Sequence, residues 1–124
     1  MPETKTILLV EDDEFLAELY ATKLNLEGFE VLLAADGEKG LKMVKESKPD
    51  LVLLDIILPK MDGFEVLANM QQDQTVKNIP VILLTNLSQK DEVKRGLDLG
   101  AKDYLIKAHF MPSEVVKKIK QTIG

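Results

Sequence analysis

Glu11 and Asp12 follow the apolar run at residues 7–10 (ILLV), and Asp55 closes the apolar run at residues 51–54 (LVLL). Carboxylates delivered to one place by two strands repel each other, and a hard divalent cation relieves that repulsion. Mg²⁺ suits such a place: it takes octahedral oxygen ligands, keeps several waters, and commonly binds one or two carboxylates together with a substrate phosphate. Asp55 is also followed by Ile56-Ile57-Leu58-Pro59, which leaves one charge among apolar neighbours. A carboxylate beside a metal can act as a nucleophile toward phosphorus and form an aspartyl-phosphate. Thr85 after residues 81–84 and Lys107 after residues 102–106 add a hydroxyl and an ammonium, both able to hold phosphate oxygens. Phosphoryl transfer asks a protein mainly for positioning and charge neutralisation, so these groups around Asp55 form a sufficient set.

Each residue has a plainer reading beside this one. Acidic residues are favoured at helix N-termini, so Asp12 or Asp13 can simply cap the helix that follows, and Asp13 and Glu14 read first as helix-start residues. Asp55 alone reads as a turn aspartate, Thr85 as a good strand residue, and Lys107 as a loop lysine reaching solvent. Asp62-Gly63 reads as a turn and helix N-cap. The chemistry exists only if the fold brings the groups together.

Short apolar runs rich in β-branched residues alternate with amphipathic stretches, the pattern of βαβ units. Strands are expected at residues 7–10, 30–34, 51–54, 81–84 and 102–106. The first, third and fourth are apolar without alternation, as strands covered by helices on both faces should be, and the second and fifth are weaker, as edges should be. Helical stripes run through Leu16, Leu19, Tyr20 and Leu24, then Leu41 and Val44, then Phe64, Leu67 and Met70, then Val93 and Leu97, and finally Val116, Ile119 and Ile123. Gly28 and Gly100 stand at expected C-caps, and Pro112-Ser113 can open the last helix. The expected fold is α/β: a doubly wound five-stranded parallel sheet in the flavodoxin-like order 2-1-3-4-5, with helices on both faces. Right-handed crossovers collect every strand's C-terminal end on one edge, and in this order the ligand crevice lies between strands 1 and 3. That crevice is where Glu11, Asp12 and Asp55 converge.

Composition narrows the function classes. The 124 residues fit one domain spanning 1–124, and a chain of this size buries one sufficient core without staples. Cysteine is absent, which excludes a disulfide framework and a thiolate metal site. The net charge of −5 and the scattered aromatics Phe15, Tyr20, Phe29, Phe64, Tyr104 and Phe110 oppose direct nucleic-acid binding, which needs clustered positive charge and stacking platforms. No apolar stretch approaches a membrane span, and the first residues lack the basic and apolar regions of a secretory signal, so a cytoplasmic protein is expected.

The segments ILLVEDDE, LVLLDIILPKMDG, VILLT and GAKDYLIK, in that order, closely resemble the response-regulator receiver domain of bacterial-type two-component signalling. The resemblance covers nearly the whole chain. It implies that Asp55 is the phospho-acceptor, that Glu11, Asp12, Asp55 and the backbone carbonyl of Ile57 hold Mg²⁺, and that Thr85 and Lys107 contact the phosphoryl group. It implies a switch in which Thr85 moves together with an aromatic on strand 5, here Tyr104, and reshapes the surface of helix 4, strand 5 and helix 5; plain edge packing of Tyr104 is the competing reading. The implied partners are a histidine kinase or phosphotransfer protein and a downstream protein target, with no membrane and no direct nucleic-acid contact, as a monomer or a weak phosphorylation-dependent dimer. No enzyme activity on outside substrates is implied. No output domain is visible, so the chain acts alone or belongs to a longer regulator.

Four departures from the family pattern stand out. Ala108 follows Lys107 where proline is usual, so a trans peptide or visible strain is expected there, because a cis bond before a non-proline residue costs about 3–4 kcal/mol. Asn86 follows Thr85 where a smaller residue is usual, which narrows access for donors. Ile57 and Leu87 are apolar where polar residues can help to position water, which points to slow self-dephosphorylation. A phosphohydrolase of the haloacid dehalogenase type would need an aspartate where Ile57 stands, a flavodoxin would need a phosphate-cradling loop where residues 11–14 are acidic, and no P-loop is present. The remaining alternative is a receiver-like interaction module independent of phosphorylation, with Lys90, Lys94, Tyr104, His109, Phe110 and Met111 as its candidate surface.

Overall fold

Strands covered on both faces need continuous apolar runs, and the runs of this chain become the sheet. The computed structural model describes residues 4–85, 90–107 and 112–123. In chain order the elements are β1 (Thr6–Val10), α1 (Glu14–Leu26), β2 (Glu30–Ala34), α2 (Gly37–Ser47), β3 (Leu51–Asp55), α3 (Gly63–Gln71), β4 (Val81–Thr85), α4 (Lys90–Asp98), β5 (Asp103–Ile106) and α5 (Pro112–Ile123). Every pairing is parallel, and the order across the sheet is β2-β1-β3-β4-β5. The weaker strands β2 and β5 stand at the edges, and β3 and β4 are buried along their whole length. β3 and β4 each run one residue past their apolar runs, to Asp55 and Thr85, and β5 begins one residue later than expected, at Asp103.

The pleat sorts the core into two layers, because successive side chains of a strand point to opposite faces. Ile7, Leu9, Leu51, Leu53, Ile82, Leu84 and Leu105 pack with Ala17, Tyr20 and Leu24 of α1 and with Val115, Val116 and Ile119 of α5. The alternate residues Leu8, Val10, Val52, Leu54, Val81 and Leu83 pack with Val44 of α2 and with Phe64, Val66, Leu67 and Met70 of α3. Two stripe residues differ from expectation. Leu19 and Leu97 are exposed, because α1 buries the face through Ala17, Tyr20 and Leu24 and α4 lies on the sheet through Gly96.

Local chemistry sets the helix ends. The carboxylates of Asp13, Asp36 and Asp62 accept hydrogen bonds from the amides of Leu16, Lys39 and Glu65 at 3.1, 2.7 and 2.9 Å, so Asp13, and not Asp12, caps α1. Gly28 and Gly100 take left-handed φ values of 95° and 110° after α1 and α4, as the C-cap reading requires. Among the described residues no helix is long and apolar enough to cross a membrane. The expectations on Asn86, Leu87, the Lys107–Ala108 peptide, His109, Phe110, Met111 and the Lys90 side chain lie outside what is described.

The start of α3 rests directly on the end of β3. The Gly63 amide donates to the Ile56 carbonyl at 2.8 Å, and a Cβ at residue 63 would run into the Asp55 carbonyl oxygen and the Ile56 Cα. Gly63→Ala is therefore expected to cost about 1–3 kcal/mol, as overpacking does. Urea denaturation should show a lower midpoint at an unchanged slope, and an unmoved midpoint would show that the β3–α3 junction has slack.

Candidate functional site

The same pleat that sorts the core also builds the site. Leu9, Leu53 and Leu105 lie in the layer beneath α1 and α5, and two residues onward along each chain segment stand Glu11, Asp55 and Lys107. The series continues on one face past the strand ends, where three chain segments bring two carboxylates and an ammonium together. Lys107 Nζ donates to Glu11 Oε2 at 2.5 Å and to Asp55 Oδ2 at 2.8 Å, and the side chains of all three are almost fully buried. The other Glu11 oxygen, Oε1, accepts the Asp13 amide at 3.2 Å, and the Glu11 amide continues the sheet by donating to the Ala34 carbonyl at 3.0 Å. Asp12 is exposed on the rim, and carboxylate oxygens of Glu11, Asp12 and Asp55 lie within 4.8 Å of one another.

Thr85 and Tyr104 belong to the opposite face. Leu83 pairs with Tyr104 across β4 and β5, Thr85 follows Leu83 on the same side, and Tyr104 packs half-buried against the α2–α3 layer. Thr85 is buried at the C-terminal end of β4, next to the strand that carries Asp55. The Ile57 side chain is 69% exposed at the mouth of the site. Its carbonyl accepts no hydrogen bond among the described residues, whereas the neighbouring Ile56 carbonyl is taken by Gly63.

A clamp on the loop after Asp55 escaped the sequence reading. The Gly37 amide at the start of α2 donates to the Pro59 carbonyl at 3.3 Å, and a Cβ at residue 37 would strike Met61. Lys60 holds a left-handed φ of 69° and pairs with Asp36 at 3.8 Å. The Asp36-Gly37 pair is a cap signal in the sequence, but nothing local in it says that the cap touches residues 59–61. Tyr20, buried on α1 as its stripe requires, also lies close enough to the charged groups for Lys107, Glu11 and Asp55 to act on its phenol.

Electrostatics follow from burying like charges. Burial pushes the Glu11 carboxyl up from its ordinary value; the Lys107 hydrogen bond pulls the other way, and the Asp55 charge adds to the rise. For Lys107, burial alone lowers the ammonium, but its hydrogen bonds and charge pairing with Asp55 and Glu11 outweigh that, and the net direction is up. The Tyr20 phenol is also raised, first by burial. Three carboxylates against one ammonium leave a formal charge of −2 in a cleft lined by oxygen donors, which fits a hard divalent cation.

The Glu11 shift has a definite sign in the metal-free protein. A carboxyl raised on folding binds its proton more tightly when folded, so the folded state gains stability as pH falls through the raised value toward about 4.5. In EDTA, Glu11→Gln should flatten the slope of unfolding free energy against pH in that window and should stabilise the protein near neutrality. Identical slopes for the two proteins would sink this assignment. On the alkaline side, the Lys107 contribution is present below about 10.5 and is lost as pH rises through its raised folded value.

With this geometry in place, the chain's likenesses can be read. Residues 7–120 match the family model for the response regulator receiver domain. The alkaline phosphatase synthesis transcriptional regulatory protein PhoP of Bacillus subtilis is 40% identical over 94% of this chain, which covers 47% of that protein. The chain thus spans about half the length of the curated relatives it matches. A CheY-like response regulator receiver domain protein from Methanospirillum hungatei superposes with a TM-score of 0.90 at 30% identity, covering 98% of this chain and 94% of that one. The receiver domain of a sensor histidine kinase from Pseudomonas aeruginosa, solved with a magnesium ion coordinated in its active site cleft, gives a TM-score of 0.89 at 28% identity, covering 98% and 99%. The strand order, the acidic cleft and these matches agree, and the chain belongs to the response regulator receiver domain family, whose members are phospho-accepting signalling switches.

Proposed function

We propose that this receiver domain is a Mg²⁺-dependent switch phosphorylated on Asp55 by a histidine kinase or phosphotransfer protein. The observation that carries the reading is the buried Lys107 ammonium shared between Glu11 and Asp55, with the exposed carboxylate of Asp12 alongside. Asp55 is the nucleophile: its carboxylate oxygen bonds to phosphorus while the bond from phosphorus to the donor breaks and the donor keeps the electron pair. Glu11, Asp12, Asp55 and the Ile57 carbonyl hold the metal, which when bound neutralises charge on the phosphoryl oxygens. Lys107 moves its positive charge from the acid pair to those oxygens, and Thr85 supplies a hydroxyl from the neighbouring strand.

The same reading accounts for the outward signal. Thr85 and Tyr104 share the face away from the charged series, so movement of Thr85 toward the phosphoryl group is felt at Tyr104 and at the surface of α4, β5 and α5. Phe15 is 74% exposed in the first turn of α1, beside the acidic rim, which supports a protein donor docking over the cleft. The chain's own role is regulatory rather than nucleic-acid contact, in keeping with its net charge of −5.

Intact mass after incubation with Mg²⁺ and acetyl phosphate tests the chemistry. One phosphoryl adduct is expected, and it should vanish in Asp55→Asn and without Mg²⁺. If neither acetyl phosphate nor a kinase donor gives an adduct, the phosphorylation-independent interaction module takes its place. The adduct should also be long-lived, because the exposed apolar Ile57 offers no group to orient attacking water. Ile57→Asn combined with Leu87→Asn is expected to speed its loss roughly tenfold or more, and rapid loss indifferent to both changes would refute that account.

A further inference from the structure

We propose that Arg95 and Phe64 form a latch that holds α4 against the start of α3, so that the position of α4 is coupled to the state of Asp55 by a route separate from Thr85 and Tyr104. The coupling rests on the reading of Asp55 as phospho-acceptor; the latch itself does not. The Arg95 guanidinium lies over the Phe64 ring, 4.2 Å from its centroid, and Phe64 is buried. A groove of about 500 Å³ runs between the two helices, lined by Phe64, Glu65, Ala68, Lys94 and Leu99 among others, and Arg95 bridges it.

Among the described residues, little else attaches α4. Its sequence, KDEVKRGLD, offers few apolar residues, Leu97 is exposed and Val93 half-buried, and Gly96 is the one buried residue of the helix among those whose burial is described. Gly96 lets α4 settle closely on the sheet: a Cβ there would strike the Leu83 side chain and lie 3.7 Å from Phe64 Cε1. A cation over an aromatic face is therefore a large share of what holds this helix down.

Phe64 in turn follows Gly63, whose amide is bonded to the Ile56 carbonyl and whose Cα sits against the Asp55 backbone. A shift of the Asp55–Ile57 backbone that accommodates a phosphoryl group must move Gly63 and Phe64, because there is no room for it to be absorbed. The ring then slides from beneath Arg95, and α4 is released. The latched arrangement favours the unphosphorylated state.

Hydrogen exchange of the unphosphorylated protein tests the latch, with Arg95→Met keeping the stem but not the charge, Phe64→Leu removing the π face, and Arg95→Lys keeping a cation. Arg95→Met and Phe64→Leu should each speed exchange of α4 amides about two- to fivefold, Arg95→Lys by less, with α1 and α5 unchanged. Unchanged α4 exchange, or an equal acceleration in every element, would overturn the latch. Coupling is reciprocal, so Arg95→Met should also bind Mg²⁺ with beryllofluoride, a stand-in for the phosphoryl group, more tightly by a similar factor. Faster α4 exchange with unchanged beryllofluoride affinity would overturn the coupling and leave the phospho-acceptor reading standing. Wild-type protein that neither binds beryllofluoride nor forms a phosphoryl adduct would overturn that reading and the coupling together, while the exchange comparison still decides the latch.

Discussion

The Lys107 ammonium between Glu11 and Asp55 is the interaction on which the site depends. Two nearly buried carboxylates could not share the end of a sheet without it, since desolvation and mutual repulsion both oppose their charges. One ammonium satisfies two of their oxygens, the Asp13 amide satisfies a third, and no buried side-chain polar atom among the described residues lacks a partner. The arrangement is still short of positive charge, and burial, with the Asp55 charge adding to it, holds the Glu11 carboxyl above its ordinary value. A cleft that folds with a residual negative charge and a single ammonium shared between two carboxylates has the donor set that a hard divalent cation takes.

The pleat of the sheet then divides labour between its faces. Leu9, Leu53 and Leu105 lead to the charged groups, whereas Leu83 leads to Thr85 and pairs with Tyr104. The charged groups thereby stand above the α1–α5 layer, and Thr85 and Tyr104 above the α2–α3 layer. Because β3 and β4 are hydrogen-bonded neighbours with Asp55 opposite Leu84, a change at Asp55 is one residue from Thr85 in space as well as in register. No long wire is needed to carry a signal between them.

Much of this was legible in the residues. The apolar runs gave each strand to within a residue, the weak runs at 30–34 and 102–106 stood at the edges, and the strand-end rule brought Glu11, Asp12, Asp55 and Lys107 to one place. What escaped depends on contacts between elements distant in sequence. Asp36 is readable as a cap, but that its helix start also grips Pro59 and Met61 is a fact of tertiary packing. Lys60 carries no local signal for a left-handed φ, because the conformation is imposed by that grip. Leu19 and Leu97 fell on plausible stripes, yet a stripe's edge residues are buried only if enough lies against them, and here both stay exposed.

The contrast between the two ends of the machinery follows from glycine. Gly37 and Gly63 bring α2 and α3 into backbone contact with the loop that follows Asp55, so that loop and the two helix starts can shift only together. Gly96 achieves an equally close approach for α4, but against the flexible end of the Leu83 side chain, and α4 brings little apolar surface of its own. A loop tied to two helix starts passes any shift on to them, and a helix seated, among the described residues, by a few weak contacts can change position for a modest free energy. The same small residue, used against backbone in one place and against a side chain in another, makes one junction stiff and leaves the other loose.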